Sequence, residues 1–241
     1  MKQSVDSWIE YWNHDDFWCS SKMWKINMNL FLQRTEPVVK FRKDDTILNI
    51  GCGPGSLEMR LAEKVGSIVA LDTSERFVKM CRQNCKIYSN VSAHVLGENY
   101  TDLSLCDKSF SLFLCVSVVQ YYKDMAEIEK LIRSAQKIAV PGARMLIADL
   151  PLKRNFAGFV WDAIGCFLMS AKEGYTIELL RTAYKKYCTK SEYNSFNRAE
   201  NLLFFTIKDI IALIERMGLK VTVIKHSLSV YANRPSILIS F

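Results

Sequence analysis

Ile47-Leu48-Asn49-Ile50-Gly51-Cys52-Gly53-Pro54-Gly55-Ser56 decides how this chain is read. A short apolar run ends in three glycines spaced two apart, and Leu57, Leu61, Ala62 and Val65 then recur on one helical face. The pattern is that of strand, tight glycine turn, helix. Glycine accepts positive φ and lets a ligand come close to the main chain. A helix that starts behind such a loop points N–H groups at whatever binds there. Seventeen residues after Gly55, a second apolar run, Ile68-Val69-Ala70-Leu71, ends in Asp72. A carboxylate at a strand tip is placed to accept two hydrogen bonds from a ribose diol. Together these features put a nucleoside-containing cofactor across the strand ends.

Outward from this centre, short apolar runs at 46–50, 68–72, 91–96, 110–115 and 143–149 alternate with helical patterns at 55–65, 74–86 and 124–138. Such alternation implies a parallel sheet covered on both faces. Pro141-Gly142 marks a turn before the fifth strand. A helix is expected at 206–217 with Gly218 as its stop, then strands at 219–226 and 235–241. Two segments break the pattern. Residues 3–35 hold Trp8, Tyr11, Trp12, Phe17, Trp18, Trp24 and Phe31, and are expected to form two or three helices that pack on the core and partly cover a site. Residues 152–205 hold a nearly all-apolar stretch, Asn155 to Ala171, read as a buried helix or a substrate lid, followed by a basic amphipathic helix at 176–190.

Bulk composition narrows the classes. A chain of 241 residues, 49% of them hydrophobic, suits one α/β domain with a large core and a substantial insertion. The net charge of +7 is scattered without a dense basic block, so nucleic acid is disfavoured as a partner. The eight cysteines form no C-x-x-C pair, and three histidines are too few for a zinc site. Cys81 and Cys85, four apart on a helix, read as buried small side chains rather than a disulfide. The N-terminus lacks the apolar core of a signal peptide, and no apolar run reaches the roughly 20 residues that span a bilayer. The expected setting is a reducing cytoplasm, with no integral membrane segment.

In these residues the chain resembles the class I S-adenosylmethionine (SAM)-dependent methyltransferases, closely over 46–149 and by layout over 206–241. Asn49-Ile50-Gly51-Cys52-Gly53-Pro54-Gly55 is similar to the family's first motif, an acid followed by G-x-G-x-G. Leu71-Asp72-Thr73-Ser74 resembles the ribose-binding motif, and Leu96-Gly97-Glu98-Asn99 stands where the family places the acid that contacts the adenine amine. Ser109 to Cys115 resembles the fourth strand, and Val140 to Ile147 the Pro-Gly turn and fifth strand. Dinucleotide enzymes carry G-x-G-x-x-G; here that third position is Ser56 and the glycine falls one earlier, which favours SAM. The resemblance implies a seven-stranded, doubly wound, mostly parallel sheet forming a single domain. In that domain 1–40 is a helical cap, 46–149 the SAM-binding core, 152–205 a helical insertion or lid, and 206–241 the final helix and antiparallel strand pair. It implies Gly51, Cys52, Gly53, Gly55, Asp72, Thr73, Glu98, Asn99 and Cys115 as cofactor-binding residues, with S-adenosylhomocysteine (SAH) as product. Three residues depart from the pattern. Asn49 replaces an acid, Ser111 replaces the aspartate of the fourth strand, and Glu98 is one methylene longer than the usual Asp.

The sulfonium of SAM is intrinsically a good leaving group, so the protein must mainly align a nucleophile and exclude water. No metal is required in principle. The run after the fourth strand, Cys115-Val116-Ser117-Val118-Val119-Gln120-Tyr121-Tyr122, lacks Asn/Asp-Pro-Pro-aromatic, and the chain has no Pro-Cys pair. Gln120 and Tyr121 match the position where small-molecule methyltransferases put residues near the transferred methyl; the same tyrosines also serve simply to pack the next helix. His14 is the candidate base, while His94 and His226 read as structural. The expected function is methyl transfer to O or N of a small, partly apolar molecule by direct in-line displacement. An RNA or protein methyltransferase, suggested by the basic helix, and a catalytically silent partner protein are the alternatives. Acceptor identity and oligomeric state are not written in the sequence.

Overall fold

Strands β1 (Thr46–Ile50), β2 (Ser67–Asp72), β3 (Val91–Val95), β4 (Phe110–Val116), β5 (Ala139–Ala148), β6 (Lys220–Ile224) and β7 (Ser236–Ser240) form one sheet. Their order is β3-β2-β1-β4-β5-β7-β6. The computed structural model describes residues 7–14, 22–97, 99–104, 109–153, 155–188 and 202–241, with the backbone alone at 14, 159 and 185–187. β1 to β5 run parallel; β7 is antiparallel to both β5 and β6. The central strands lie between two helical layers, which is why TILNI, SIVALD and FSLFLCV read as nearly continuous apolar runs. β6 lies at an edge, and its burial alternates along the strand.

Strand period sorts the core into two faces. Phe113, Cys115, Met145 and Ile147 point to one side, against Ile128, Leu131 and Ile132 of α5 (Met125–Lys137) and Ile210 and Ile214 of α8 (Ile207–Arg216). Leu112, Leu114, Leu146 and Ala148 point to the other, against Met28 and Phe31 of α2 (Lys22–Val39) and Leu57 and Leu61 beside α3 (Glu58–Leu61). α2 is therefore a core helix: Phe31 is wholly buried. The cap expected over 1–40 reduces, among the described residues, to α1 (Trp8–His14) and the start of α2.

Helix starts are chemically marked. Ser74 caps α4 (Glu75–Asn84) by accepting from Phe77 N–H, and Asp124 caps α5 by accepting from Glu127 N–H. Thr206 and Asp209 form a reciprocal capping box at α8. The helix expected over 55–65 shortens to four residues, because Arg60 and Lys64 bond to carbonyls three residues back and turn the chain tightly on either side. The fifth strand starts earlier than expected. Ala139 pairs with Phe110, residues around Pro141-Gly142 loop out, and pairing resumes at Arg144 with Leu112.

The 152–205 segment contains α6 (Phe156–Lys172) and α7 (Thr176–Cys188); its residues 154 and 189–201 lie outside the described set. α6 is not buried. Phe156 is 82% and Trp161 67% exposed, and Leu168 and Phe167 also face outward. It is tethered by the loop before β7, where Asn233 donates to Asp162 at 2.9 Å and Ala232 N–H to Cys166 Sγ at 3.2 Å, by Arg34 of α2, which donates to Met169 Sδ at 3.3 Å, and by packing against α7. Apolar composition alone suggested burial, yet a helix apolar on every side cannot hide all of them against α7, one arginine of α2 and a loop. Among the described residues, no helix is long and apolar enough to cross a membrane.

Candidate functional site

An open cavity lies at the C-terminal ends of β1, β2 and β4, where the strand order reverses direction. Its floor is the glycine loop. Gly51, Gly53 and Gly55 all have positive φ (78°, 53° and 84°). At two of them the glycine is also sterically required. A methyl built on Gly51 overlaps Val118, and one on Gly55 comes within 2.8 Å of Cys81 Sγ and 3.0 Å of its Cα. The loop is tied to the next strand by Gly51 and Cys52 N–H groups, both donating to Leu71 carbonyl at 2.7 and 2.9 Å. Trp24 adds a strut from α2 through Nε1 to Ser56 Oγ at 2.9 Å.

Asp72 ends β2 at the cavity wall. Its Oδ2 accepts from Gly53 N–H at 2.8 Å and its Oδ1 from Ser74 N–H at 2.9 Å. Burial raises its pKa, while those backbone donors pull it back. Each oxygen keeps a lone pair for a further donor. Thr73, Gly51, Cys52 and Gly53 line the same space, as expected. The Cys52 thiol, hydrogen-bonded with Cys81 but buried and beside Glu58 and Asp72, is pushed up to about 11 and stays neutral.

Four expected cofactor residues stand differently. Gly55 is buried against Cys81 and does not itself line the cavity. Cys115 is completely buried in the core on the α5 and α8 face and does not line the cavity. Its side chain shares the parity of Phe113, so the pleat turns it away. Asn99 is exposed, and its side-chain oxygen accepts from Thr101 Oγ1 at 3.2 Å; Leu96 and Tyr100 supply the cavity wall there instead. Glu98 lies outside the described residues.

Gln120 and Tyr121 do reach the cavity. They sit on the short 3-10 helix Val119–Tyr121 that follows β4. Tyr121 packs under α1, with ring centroids 4.6 Å from Trp8 and 5.7 Å from Trp12. Trp12 also meets Phe77, and Asn13 accepts from Ser74 Oγ at 2.6 Å, so α1 is pinned as an aromatic roof over the opening. His14 ends α1, and its side chain lies outside the described residues. Among the described residues, α6 contributes none to the cavity lining.

The departures from the motif have visible partners. Ser111 sits at the far, N-terminal end of β4, where its hydroxyl donates to Asp45 at 2.8 Å; Asp45 also holds Arg144 at 2.7 Å. That residue ties the bottom of the sheet and is remote from the site. Asn49 Nδ2 donates to Glu58 Oε1 at 2.6 Å, with both side chains buried beneath the loop. The acid missing at position 49 is thus brought nine residues later, from α3. Asn49 Oδ1 and Glu58 Oε2 are both buried without a hydrogen-bond partner. Burial, offset in part by Asn49, raises Glu58 to about 7.

Sequence reasoning missed a second polar group. Asp149, just after β5, is buried and has φ 61°. It accepts from Ser117 Oγ and from Ser229 Oγ, each at 2.6 Å. Arg234 donates to Gln120 Oε1 at 3.1 Å and stacks 4.5 Å over the ring of Tyr231. Ser117 and Tyr231 line the cavity. Among the described residues, no group of three or more His, Cys, Asp or Glu side chains comes together as a metal-ligand set.

This sheet order, with its antiparallel seventh strand, glycine loop and acid at the tip of β2, is the fold of the class I SAM-dependent methyltransferases. Residues 47–142 match the sequence model of a methyltransferase domain, and the chain carries one. It is similar to a demethylmenaquinone methyltransferase of Tropheryma whipplei, with 24% identity over 112 residues that span 46% of this chain and 44% of that protein. It is also similar to a ubiquinone biosynthesis O-methyltransferase of Pseudomonas paraeruginosa, with 23% identity across 70% of this chain and 67% of the relative. The chain thus spans less than half the length of the Tropheryma relative. In fold it resembles N-methyltransferase NodS of Bradyrhizobium japonicum in complex with SAH, with a TM-score of 0.58, 15% identity, and coverage of 97% and 95% of the two chains.

Proposed function

We propose that this protein transfers a methyl group from SAM to an oxygen or nitrogen of a small, partly apolar organic molecule, directly and in line. The observation that carries this reading is one cavity lined both by the glycine loop and Asp72 and by Gln120, Tyr121, Trp8 and Trp12. The cradle fits the cofactor: Gly51 and Gly53 line the cavity at positive φ, with little beside Gly53 on the protein side, and Asp72 keeps acceptor capacity toward a diol. Gly51 to Gly53 would hold the methionine and ribose portions, and Leu96 and Tyr100 would flank the base. Bound SAM supplies a methyl on a positively charged sulfur. The chain's own residues do the rest. The indoles exclude water, and Gln120 and Tyr121 orient the acceptor. The aromatic wall favours an acceptor with an apolar body. The names of the quinone-pathway relatives fit that preference, and the roof over the opening argues against a polymeric acceptor.

Calorimetry with SAH comes first, followed by transfer of labelled methyl from SAM to a panel of phenols, catechols and amines, with RNA as a contrast. Micromolar SAH binding and transfer to one of the small molecules, unaffected by EDTA, is the expected result. No SAH binding would reject the reading, and transfer to RNA alone would move it to the polymer class. Gln120→Ala and Tyr121→Phe should lower turnover more than SAM affinity.

Hydrogen exchange with and without SAH probes the roof. Amides of α1 should gain protection, because α1 lines the cavity, whereas those of α6 should change little. Equal gains in both helices would make the insertion part of the lid after all.

A further inference from the structure

We infer that Ser117 and Asp149 form a proton-accepting pair at the cavity wall, so that the acceptor arrives carrying a proton it must lose, as a hydroxyl or an ammonium. This rests on the SAM reading above. It begins from a gap. Among the described residues lining the cavity, the titratable side chains are Asp72, Cys52 and the tyrosines 100, 121, 122 and 231. Asp72 serves the loop end. The thiol and the phenols are all raised by their surroundings, Tyr231 to about 12 by burial, so each is neutral and none is a ready base.

Asp149 lies one hydroxyl behind the wall. Ser117 has φ 57° and follows β4 directly, where the chain turns into the cavity rim. Its hydroxyl donates to Asp149 Oδ2 at 2.6 Å, which leaves its lone pairs for a donor inside the cavity. Gln120 Nε2 holds the same turn, donating to Ser117 carbonyl at 3.4 Å. Asp149 Oδ1 is occupied by Ser229. Burial disfavours the charged form of Asp149, but the Arg234 guanidinium and both serine hydroxyls favour it, and the neighbouring Tyr231 is neutral. A hydroxyl attacks with its own lone pair and sheds its proton in the transfer, whereas an ammonium first gives up a proton to free its lone pair; the acceptor atom then bonds to the methyl carbon as the carbon–sulfur bond breaks and its electron pair returns to sulfur. The acceptor's proton passes to Ser117 Oγ, and the serine's own proton passes to Asp149 Oδ2. Ser117 is the residue that touches the acceptor; Asp149 is a positioning residue that receives charge through it.

A test that needs no acceptor uses sinefungin, the SAM analogue with an amine where SAM carries its methyl, against SAH, which has neither. The wild-type protein should bind sinefungin more tightly than SAH, because the amine meets Ser117. Ser117→Ala should cut that preference roughly tenfold while leaving SAH affinity in place. Asp149→Asn should do the same, and the wild-type preference should decline as acid protonates Asp149. Ser229→Ala removes an equal hydrogen bond off the proton path, and should keep most of the preference while moving its acid limb to higher pH. Equal losses in both serine variants, or no loss in Ser117→Ala with SAH still bound, would overturn the pair. If Asp149→Asn does not fold, Ser117→Ala against Ser229→Ala decides alone. If the wild type binds neither ligand, the SAM reading itself fails and the inference falls with it.

Discussion

Asp72→Ala should weaken SAM and SAH binding at least tenfold and lower the melting temperature as well. The first effect comes from losing charge-assisted acceptors for the ribose, on the order of 1.5–3 kcal/mol. The second follows from the structure. Asp72 holds the N–H groups of Gly53 and Ser74, so without it the glycine loop and the start of α4 each lose a buried partner. Asp72→Asn should fall between, since its single oxygen satisfies one donor and its amide faces the other. Because burial raises the pKa of Asp72, loss of affinity on acidification should set in at a higher pH than for an exposed aspartate. Calorimetry over a pH series reads both effects. An unchanged dissociation constant in Asp72→Ala would remove the ribose role, whatever happens to the melting temperature.

Much of this site was legible because its signals are local. Glycines that need positive φ, an acid at the end of an apolar run and capping residues all act within a few positions, and strands β1 to β4 fall where their apolar runs put them. Cys115 was legible in principle: it shares parity with Phe113 and not with Leu114, which assigns it to the α5 and α8 face. The exposure of α6 was not legible, because an apolar helix reads the same whether or not a partner covers it. Neither was the Ser117–Asp149–Ser229 group, whose members lie 32 and 80 positions apart and meet only when β4, β5 and the segment before β7 come together. Asn49 read as a lost acid because the sequence hides that the glycine loop folds Glu58 back beneath it. Ser111 read as a second loss, and its place at the opposite end of β4 takes that argument away from the site. Of the two residues that suggested a catalytically silent protein, Ser111 thus has no bearing on the site, and Asn49 sits in a buried pair with Glu58 beneath the loop.

Glu58→Gln should stabilise the protein, by an amount that grows as pH rises from about 4.5 to about 7 and is full above that. Asn49 Nδ2 meets Glu58 Oε1 at 2.6 Å, short for an amide donor, and the other oxygen of each group is buried without a partner. One proton on Glu58 lets it donate to the Asn49 oxygen and resolves both vacancies, whereas a buried charge resolves neither. Raised from 4.5 to about 7, the acid keeps its proton in the folded state over a range where the unfolded chain has lost it. Below about pH 4.5 both states are protonated and nothing is lost; from there to about 7 stability falls, and above 7 the loss is complete. The shift corresponds to about 3 kcal/mol as an upper figure. Glutamine gives the same two hydrogen bonds with no proton to lose. Urea melts at pH 5 and pH 8 should therefore show the two proteins nearly equal at the lower pH, and Glu58→Gln ahead by about 2 kcal/mol at the higher. Asn49→Asp should reverse the benefit, placing a second carboxylate against the first and lowering stability most at alkaline pH. A Glu58→Gln advantage that does not change between the two pH values would mean that the acid is charged throughout, and that the 2.6 Å contact is an ordinary amide–carboxylate bond.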